Sequence, residues 1–324
     1  MSGVTQPTQG KQRAPMNRTL TLSHDDRVRL EPRILKSLPS QPFSYPPTGT
    51  IQGDCLDIAR LLPPQFVDLL ILDPPYNLTK SFNGRKFSKS TVDDYSDWLD
   101  TVIRTLKPLL KPTASVYICG DWLSSVSIFH VASAHFLVHN RITWEREKGR
   151  GARSNWKNSS EDIWFCTLSD HYTFNVDAVK LRRKVIAPYR HRDGTPKDWD
   201  ATEKGNFRDT HPSNLWTDIT IPFWSMPENT DHPTQKSEKL MAKLLLASTN
   251  AHDVVFDPFL GSGTTSVVAR KLNRNYLGIE LDREYCLLTE RRLELAESDA
   301  NVQGLADGVF WERNTFPRQH KADL

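Results

Sequence analysis

The stretch Val67-Asp68-Leu69-Leu70-Ile71-Leu72-Asp73-Pro74-Pro75-Tyr76 decides how this chain is read. Its first part is an apolar run of strand length, which predicts a buried strand. Asp73 to Tyr76 then follow at the carboxyl end of that strand, where open α/β sheets place their chemistry. Two consecutive prolines remove two backbone N–H donors and fix φ at both positions. The carbonyls around them stay available as acceptors on a stiff turn. A carboxylate, a rigid carbonyl and an aromatic face therefore converge. Together they suit a planar conjugated amine, such as the exocyclic NH2 of a nucleobase. Two acceptors take the two hydrogens, and the Tyr76 ring stacks on the plane. The plainer reading is a proline-rich turn with an exposed tyrosine.

A second strand–turn–helix pattern lies toward the other end. Val254-Val255-Phe256 reads as a short strand, Asp257-Pro258-Phe259-Leu260-Gly261-Ser262-Gly263-Thr264-Thr265 as a glycine-rich turn, and Ser266 to Leu272 as a helix. In that order, backbone N–H groups approach a ligand closely at a helix N-terminus. A dinucleotide loop would need a third glycine at Ser266, so this is a poor NAD site. Downstream, Asn275 to Asp282 reads as a strand ending in carboxylates. Glu280, after the glycine turn, is placed to take two ribose hydroxyls. Ordinary strand-end solvation is the plainer reading of Glu280 and Asp282.

Helical and extended stretches alternate between these motifs. The spacing predicts helices over Asp97 to Leu110, Ser124 to His135, Glu238 to Ser248 and Arg283 to Ala296. Strands are predicted over Ser115 to Cys119, Arg141 to Trp144 and Asp162 to Cys166. Such alternation predicts an α/β fold: a doubly wound, mostly parallel sheet with helices on both faces.

These residues resemble the amino-group DNA methyltransferases that use S-adenosylmethionine, over roughly residues 48 to 295. Asp73, Pro74, Pro75 and Tyr76 match the catalytic tetrapeptide, and Asp257 to Gly263 the cofactor loop. His232-Pro233-Thr234-Gln235-Lys236 matches the segment that lines the methionine end of the cofactor, and Gly53-Asp54-Cys55 the segment that contacts its adenine. The resemblance thus implies a Rossmann-like methyltransferase fold and S-adenosylmethionine as cofactor. It implies cofactor roles for Asp54, Cys55, His232, Thr234, Gln235, Lys236, Asp257, Phe259, Gly261, Ser262, Gly263, Thr264 and Glu280. Catalytic motif first and cofactor loop last is the permuted order of the family's β group. Ser237 stands where the group usually has proline; both residues suit a helix start.

Composition bounds the answer without deciding it. With 42 Lys and Arg against 39 Asp and Glu, the net charge is only +3, so local charge is the better guide to a nucleic-acid face. Cys55, Cys119, Cys166 and Cys286 are widely spaced, with no zinc-type spacing and no secreted framework. A reducing cytoplasm is therefore expected. No apolar run approaches membrane-spanning length, and no signal-peptide core is visible.

The expected organisation is a disordered or loosely ordered N-terminal tail over 1–46, with a short helix from His24 to Leu38, a methyltransferase domain over 47–300, and an extension over 301–324. Within the domain, 47–176 is the catalytic half and 232–300 the cofactor half. Residues 177–231 contain Pro188, Gly194, Pro196, Pro212, Pro222 and Pro227 and lack clear periodicity, so they read as a loop-rich insertion. In the β group this interval carries target recognition. Basic residues mixed with aromatics suit phosphate contact. The DNA-contacting candidates are Lys80, Arg85 and Lys86 in the loop after Tyr76, Arg150 and Arg153 in the stretch 146–157, and Arg182, Arg183, Lys184 and Arg190 in the insertion. Each run is, more plainly, a solvated face.

An oxidoreductase would leave the Pro-Pro-Tyr turn unexplained. RNA-base and protein-glutamine methyltransferases usually carry Asn first and place the cofactor loop before the catalytic turn. A cytosine-C5 enzyme would need a Pro-Cys nucleophile. The resemblance leaves adenine N6 and cytosine N4 as targets, and Asp at the first catalytic position accompanies adenine more often. Double-stranded DNA is the expected partner. A companion restriction endonuclease and the choice of monomer or homodimer stay open.

Overall fold

The computed structural model describes residues 14–36, 42–43, 46–78, 80–82, 85–87, 90–146, 154–186, 189–203 and 205–312, with backbone alone for 80–82 and 85–87. In chain order the elements are α1 (His24–Leu30), β1 (Gly49–Gln52), α2 (Cys55–Ala59), β2 (Val67–Leu72), β3 (Lys80–Phe82), β4 (Arg85–Phe87), α3 (Val92–Leu106), β5 (Leu110–Gly120), α4 (Ser125–His135), β6 (Leu137–Glu145) and β7 (Ser160–Thr167). They continue with β8 (Leu181–Lys184), β9 (Asp200–Thr202), β10 (Gly205–Thr210), β11 (Leu215–Trp216), α5 (Glu238–Ser248), β12 (Val254–Asp257), α6 (Thr264–Lys271), β13 (Asn275–Glu280), α7 (Arg283–Ser298), β14 (Leu305–Ala306) and β15 (Val309–Trp311).

The apolar run before Asp73 is β2, an inner strand of the main sheet, whose order is β1-β13-β12-β2-β5-β7-β6-β11. From β1 through β5 all pairs are parallel, while β7 runs antiparallel to both neighbours. Alternate residues of a strand face opposite sides, and β2 uses both. Leu70 and Leu72 join Ile58, Val102, Ile103 and Leu106 in one core layer. Leu69 and Ile71 join Leu240, Leu244, Leu245 and Val268 in the other. Burial on both faces explains the unbroken apolar run. Truncating Leu70 to Ala would cost about 2–5 kcal/mol. The doubly wound, mostly parallel architecture read from the sequence is the one observed.

Three regions differ from the sequence reading. Helix α3 begins at Val92, before the expected Asp97, because Thr91 caps it through the Asp94 N–H at 3.0 Å. The stretch 177–231 is not only loops. β8, β9 and β10 form antiparallel strands, and β14 and β15 complete a second sheet of order β14-β15-β8-β10-β9. Residues 305–311, read as part of a C-terminal extension, are thus built into the same sheet as the insertion. β11, also from this interval, adds to the main sheet beside β6. Finally, part of the N-terminal segment is docked. Ser23 and Asp26 form a capping box on α1, Leu30 is fully buried against Cys286 and Leu287 of α7, and Arg27 pairs with Glu284 at 3.0 Å. Among the described residues, no helix is long and apolar enough to cross a membrane.

Candidate active site

Parallel strands deliver their carboxyl ends to one edge of the sheet. β2 delivers Asp73, its neighbour β12 delivers Asp257, β13 delivers Glu280, and β1 delivers Gly53-Asp54-Cys55. A cavity of about 270 Å³ opens there. Its walls include Asp54, Cys55, Asp73, Pro74, Pro75, Tyr76, His232, Thr234, Gln235, Lys236, Asp257, Phe259, Gly261, Ser262, Thr264 and Glu280. Candidates that are far apart in the chain are therefore gathered at one place.

The proline turn is held from outside. The Tyr95 hydroxyl donates to the Pro75 carbonyl at 3.2 Å, and the Asn77 N–H donates to Ser124 Oγ at 3.2 Å. Ser124 is in turn fixed by Asp121. No hydrogen bond among the described residues ends on the Pro74 carbonyl. The Asp73 carboxylate accepts from Lys236 Nζ at 2.9 and 2.7 Å and from the Tyr76 hydroxyl at 3.0 Å. Burial pushes the Tyr76 hydroxyl well above its ordinary pKa, and the Asp73 and Glu161 carboxylates add to that, so it stays protonated.

The glycine turn is compact for identifiable reasons. Gly261 has φ +56°, and a Cβ there would lie 3.0 Å from His232 Nε2. Gly263 has φ +82° and precedes α6, and a Cβ there would lie 2.4 Å from Thr289. Gly263 does not line the cavity; it lets the turn pack on α7. Asp257 is buried and accepts from Thr265 Oγ1 at 2.6 Å and the Phe259 N–H at 3.0 Å. Burial pushes its carboxyl up to about 7 against the lowering pull of the Thr265 bond. Glu280 accepts from the N–H groups of Gly261 and Asp282, each at 2.8 Å. Burial nevertheless raises it to about 7.

The stretch His232 to Lys236 divides its duties. Burial holds His232 down to about 4, so its ring is neutral near pH 7. Gln235 lines the cavity, but its amide is spent internally, accepting from Thr230 Oγ1 at 2.6 Å and donating to the Glu228 carbonyl at 2.7 Å. Lys236 points at Asp73. Asp54 caps α2 through the Leu56 N–H at 2.8 Å. Two residues not anticipated from the sequence also matter. Glu161, on β7, lies 3.4 Å from Lys236 Nζ. Tyr285, on α7, lines the cavity and meets the His232 ring edge-on at 4.5 Å. Only topology brings either of them to the site.

The basic candidates separate. Lys80, Arg85 and Lys86 lie on the β3–β4 hairpin that follows the catalytic turn. Arg150 and Arg153 lie outside the described residues. Arg182 makes two bonds of 2.8 Å to Asp209 and lies over the Trp311 ring at 5.5 Å. Arg183 is 3.7 Å from Glu312. Arg190 lies over the Trp199 ring at 4.8 Å and bonds the Gly194 carbonyl. Lys184 is exposed and makes no ion pair among the described residues.

The DNA methylase family matches over residues 67–291. DNA adenine methyltransferase YhdJ of Escherichia coli (strain K12) is 34% identical over 251 residues, spanning 76% of this chain and 82% of the relative. Among solved structures, the cytosine-N4-specific PvuII DNA methyltransferase aligns with a TM-score of 0.57 at 18% identity, over 79% of this chain and 90% of that one. The M1.HpyAVI–SAM complex aligns at 0.51 and 24% identity, over 76% and 98%. The two structural likenesses show the fold.

Proposed function

The chain belongs to the DNA methylase family, and from that premise we propose that it transfers a methyl group from S-adenosylmethionine to adenine N6 within a short duplex site. Cytosine N4 is the alternative, since both amines sit on a ring carbon beside a ring nitrogen. One observation carries the reading: Asp73 on its rigid proline turn and the Gly261–Glu280 turn line the same cavity. The carboxylate at position 73 supports adenine, as does the relative whose name is DNA adenine methyltransferase.

The residues present fit the cofactor. Each Glu280 oxygen already accepts one backbone N–H, which fixes the carboxylate plane. Each keeps a second acceptor position for a ribose hydroxyl. The absence of a side chain at Gly261 keeps the wall open, and Phe259, packed on Trp98 at 6.1 Å, offers an aromatic face. When bound, the cofactor supplies a methyl group activated by its positively charged sulfur.

The protein supplies position and electrostatics. A base must leave the stack before its amine can be reached. Asp73 accepts from one amine hydrogen and the Pro74 carbonyl from the other, while the Tyr76 ring stacks on the base. Holding both hydrogens favours a pyramidal nitrogen with an exposed lone pair. The amine proton becomes acidic only as the methyl arrives, so Asp73 need not remove it first. Exposed Lys184 and the β3–β4 hairpin are the favoured contacts to the DNA backbone.

The test is to incubate the full chain with unmethylated duplex DNA and methyl-labelled cofactor, digest to nucleosides and identify products by mass. N6-methyladenine is expected. N4-methylcytosine alone would overturn the choice of base. Label entering RNA or peptide but not DNA would overturn the substrate class.

A further inference from the structure

Lys236 precedes Ser237, which caps α5 by accepting the Leu240 N–H. Its carbonyl accepts from Thr264 Oγ1 at 3.1 Å. The backbone of Lys236 is therefore pinned between two helix starts, and its side chain is only 5% exposed. From there Nζ reaches Asp73 Oδ1 and Oδ2 at 2.9 and 2.7 Å, Tyr76 Oη at 3.0 Å and Glu161 Oε2 at 3.4 Å. An ammonium has three hydrogens, and acceptors on three side chains surround this one. To reach outward to a cofactor carboxylate it would have to release Asp73. The other Glu161 oxygen is bound by Arg146, at the end of β6. The buried Glu161 carboxylate and the partly buried Asp73 carboxylate thus face two cations, and the cluster is balanced.

We propose that Lys236 is a positioning residue, which sets the Asp73 carboxylate and the Tyr76 hydroxyl for the target amine, and that Glu161, braced by Arg146, sets Lys236. This rests on the amine-methylation reading above. A carboxylate offers about four acceptor positions. Lys236 and Tyr76 occupy three at Asp73, leaving about one for a single amine hydrogen. The second amine hydrogen then has only the Pro74 carbonyl. Division of the two hydrogens between two acceptors is what orients the nitrogen. Glu161 shares the Lys236 charge, so Asp73 is not neutralised by one partner alone and stays a strong acceptor. Burial alone would favour a neutral Lys236, but the Asp73 and Glu161 carboxylates outweigh it and hold the ammonium above its ordinary pKa.

The experiment compares Lys236→Met, Glu161→Gln, Asp73→Asn and the double variant Lys236→Met/Asp73→Asn in the full chain. Single-turnover rates are measured at saturating DNA and cofactor, and cofactor affinity by calorimetry. Lys236→Met is expected to slow transfer on the order of 100-fold, the scale of a small misplacement of a reacting group, with cofactor affinity unchanged. Glu161→Gln should slow it in the same way but less. In the Asp73→Asn background, Lys236→Met should add little, because the group it acts through is already altered. If Lys236→Met does not fold, as judged by circular dichroism, the near-isosteric Glu161→Gln decides. Weakened cofactor binding with an unchanged saturated rate would overturn the proposal, as would independent effects of Lys236 and Asp73. Wild-type protein that methylates no DNA amine would instead overturn the reading beneath it.

Discussion

The Gly261 N–H donates to Glu280 Oε2 at 2.8 Å. The carboxylate that ends β13 therefore pins the glycine turn that follows β12, and the two halves of the proposed nucleoside site are one hydrogen-bonded unit. The same carboxylate holds the Asp282 N–H at 2.8 Å through its other oxygen. Asp282 in turn caps α7, accepting from Glu284 and Tyr285. One side chain thus links a turn, a strand end and a helix start.

Burial of the same carboxylate, against the lowering pull of those two bonds, gives a pH-dependent stability. Burial raises the Glu280 carboxyl from 4.5 to about 7 in the fold. Between those values the unfolded chain binds fewer protons than the folded one, so stability falls as pH rises through the window. Its contribution is fully present below about 4.5 and gone above about 7, and is worth at most about 3 kcal/mol. Asp257, raised from 3.8 to about 7, acts with the same sign. Glu280→Gln should be less stable overall, since its amide cannot accept from both N–H groups. Its unfolding midpoint should nevertheless decline less than the wild type's between pH 5 and pH 7.5. Equal declines would remove Glu280 from this account.

Gly263 is expected to act through packing rather than through a ligand. With φ +82° and Thr289 2.4 Å from any Cβ, Gly263→Ala combines a left-handed backbone penalty with overpacking. Together these should cost about 2–5 kcal/mol. The loss should appear as a lower denaturant midpoint in the absence of cofactor. A variant as stable as the parent, with cofactor affinity alone reduced, would place Gly263 on the cavity wall after all.

The legible features were those that local chemistry dictates. β2 is apolar on both faces and ends in prolines, so both the strand and the acceptor turn could be read directly. Gly261 could be read because a strand and a helix flank it. The second sheet was not legible, because β8 is four residues long, reads Leu-Arg-Arg-Lys and takes one of its partners from β15, near the far end of the chain. The prolines between its strands suggested loops alone. Glu161 was not legible either: a carboxylate at a strand start looks solvated until Lys236 is placed beside it. Lys236 was read as a cofactor residue and does line the cavity, but its bonds to Asp73 were not legible, because a motif carries neighbours along the chain and not the direction in which a side chain points.

The basic strand β8 should divide by partner. Arg182 is bonded twice to Asp209 and stacked on Trp311, so Arg182→Ala should loosen the small sheet and leave the salt dependence of DNA binding nearly unchanged. Arg183 and Lys184 are exposed on the same strand. If each meets a phosphate, neutralising both should reduce the slope of log affinity against log salt by roughly 1.8, about 0.9 per contact. Binding isotherms at four salt concentrations measure this. A slope change from Arg182→Ala as large as that from Lys184→Ala would show that the Asp209 pair opens on DNA.

Tyr76 should separate stacking from positioning. Lys236 Nζ lies 5.4 Å from the ring centroid, beyond the hydroxyl and not over a ring face, so it acts on this residue through the hydroxyl. Its hydroxyl donates to Asp73 and accepts from Lys236, each at 3.0 Å. Tyr76→Phe keeps the ring and removes only the hydroxyl, whose net worth is about 1 kcal/mol. Single-turnover methyl transfer should fall by about fivefold. Tyr76→Ala removes the ring as well, and base stacking is worth about 1–3 kcal/mol. The further loss should be about 5- to 150-fold, with cofactor affinity nearly unchanged in both variants. Tyr76→Phe as slow as Tyr76→Ala would mean that the hydroxyl, held between Asp73 and Lys236, carries the whole effect and that no base stacks on this ring.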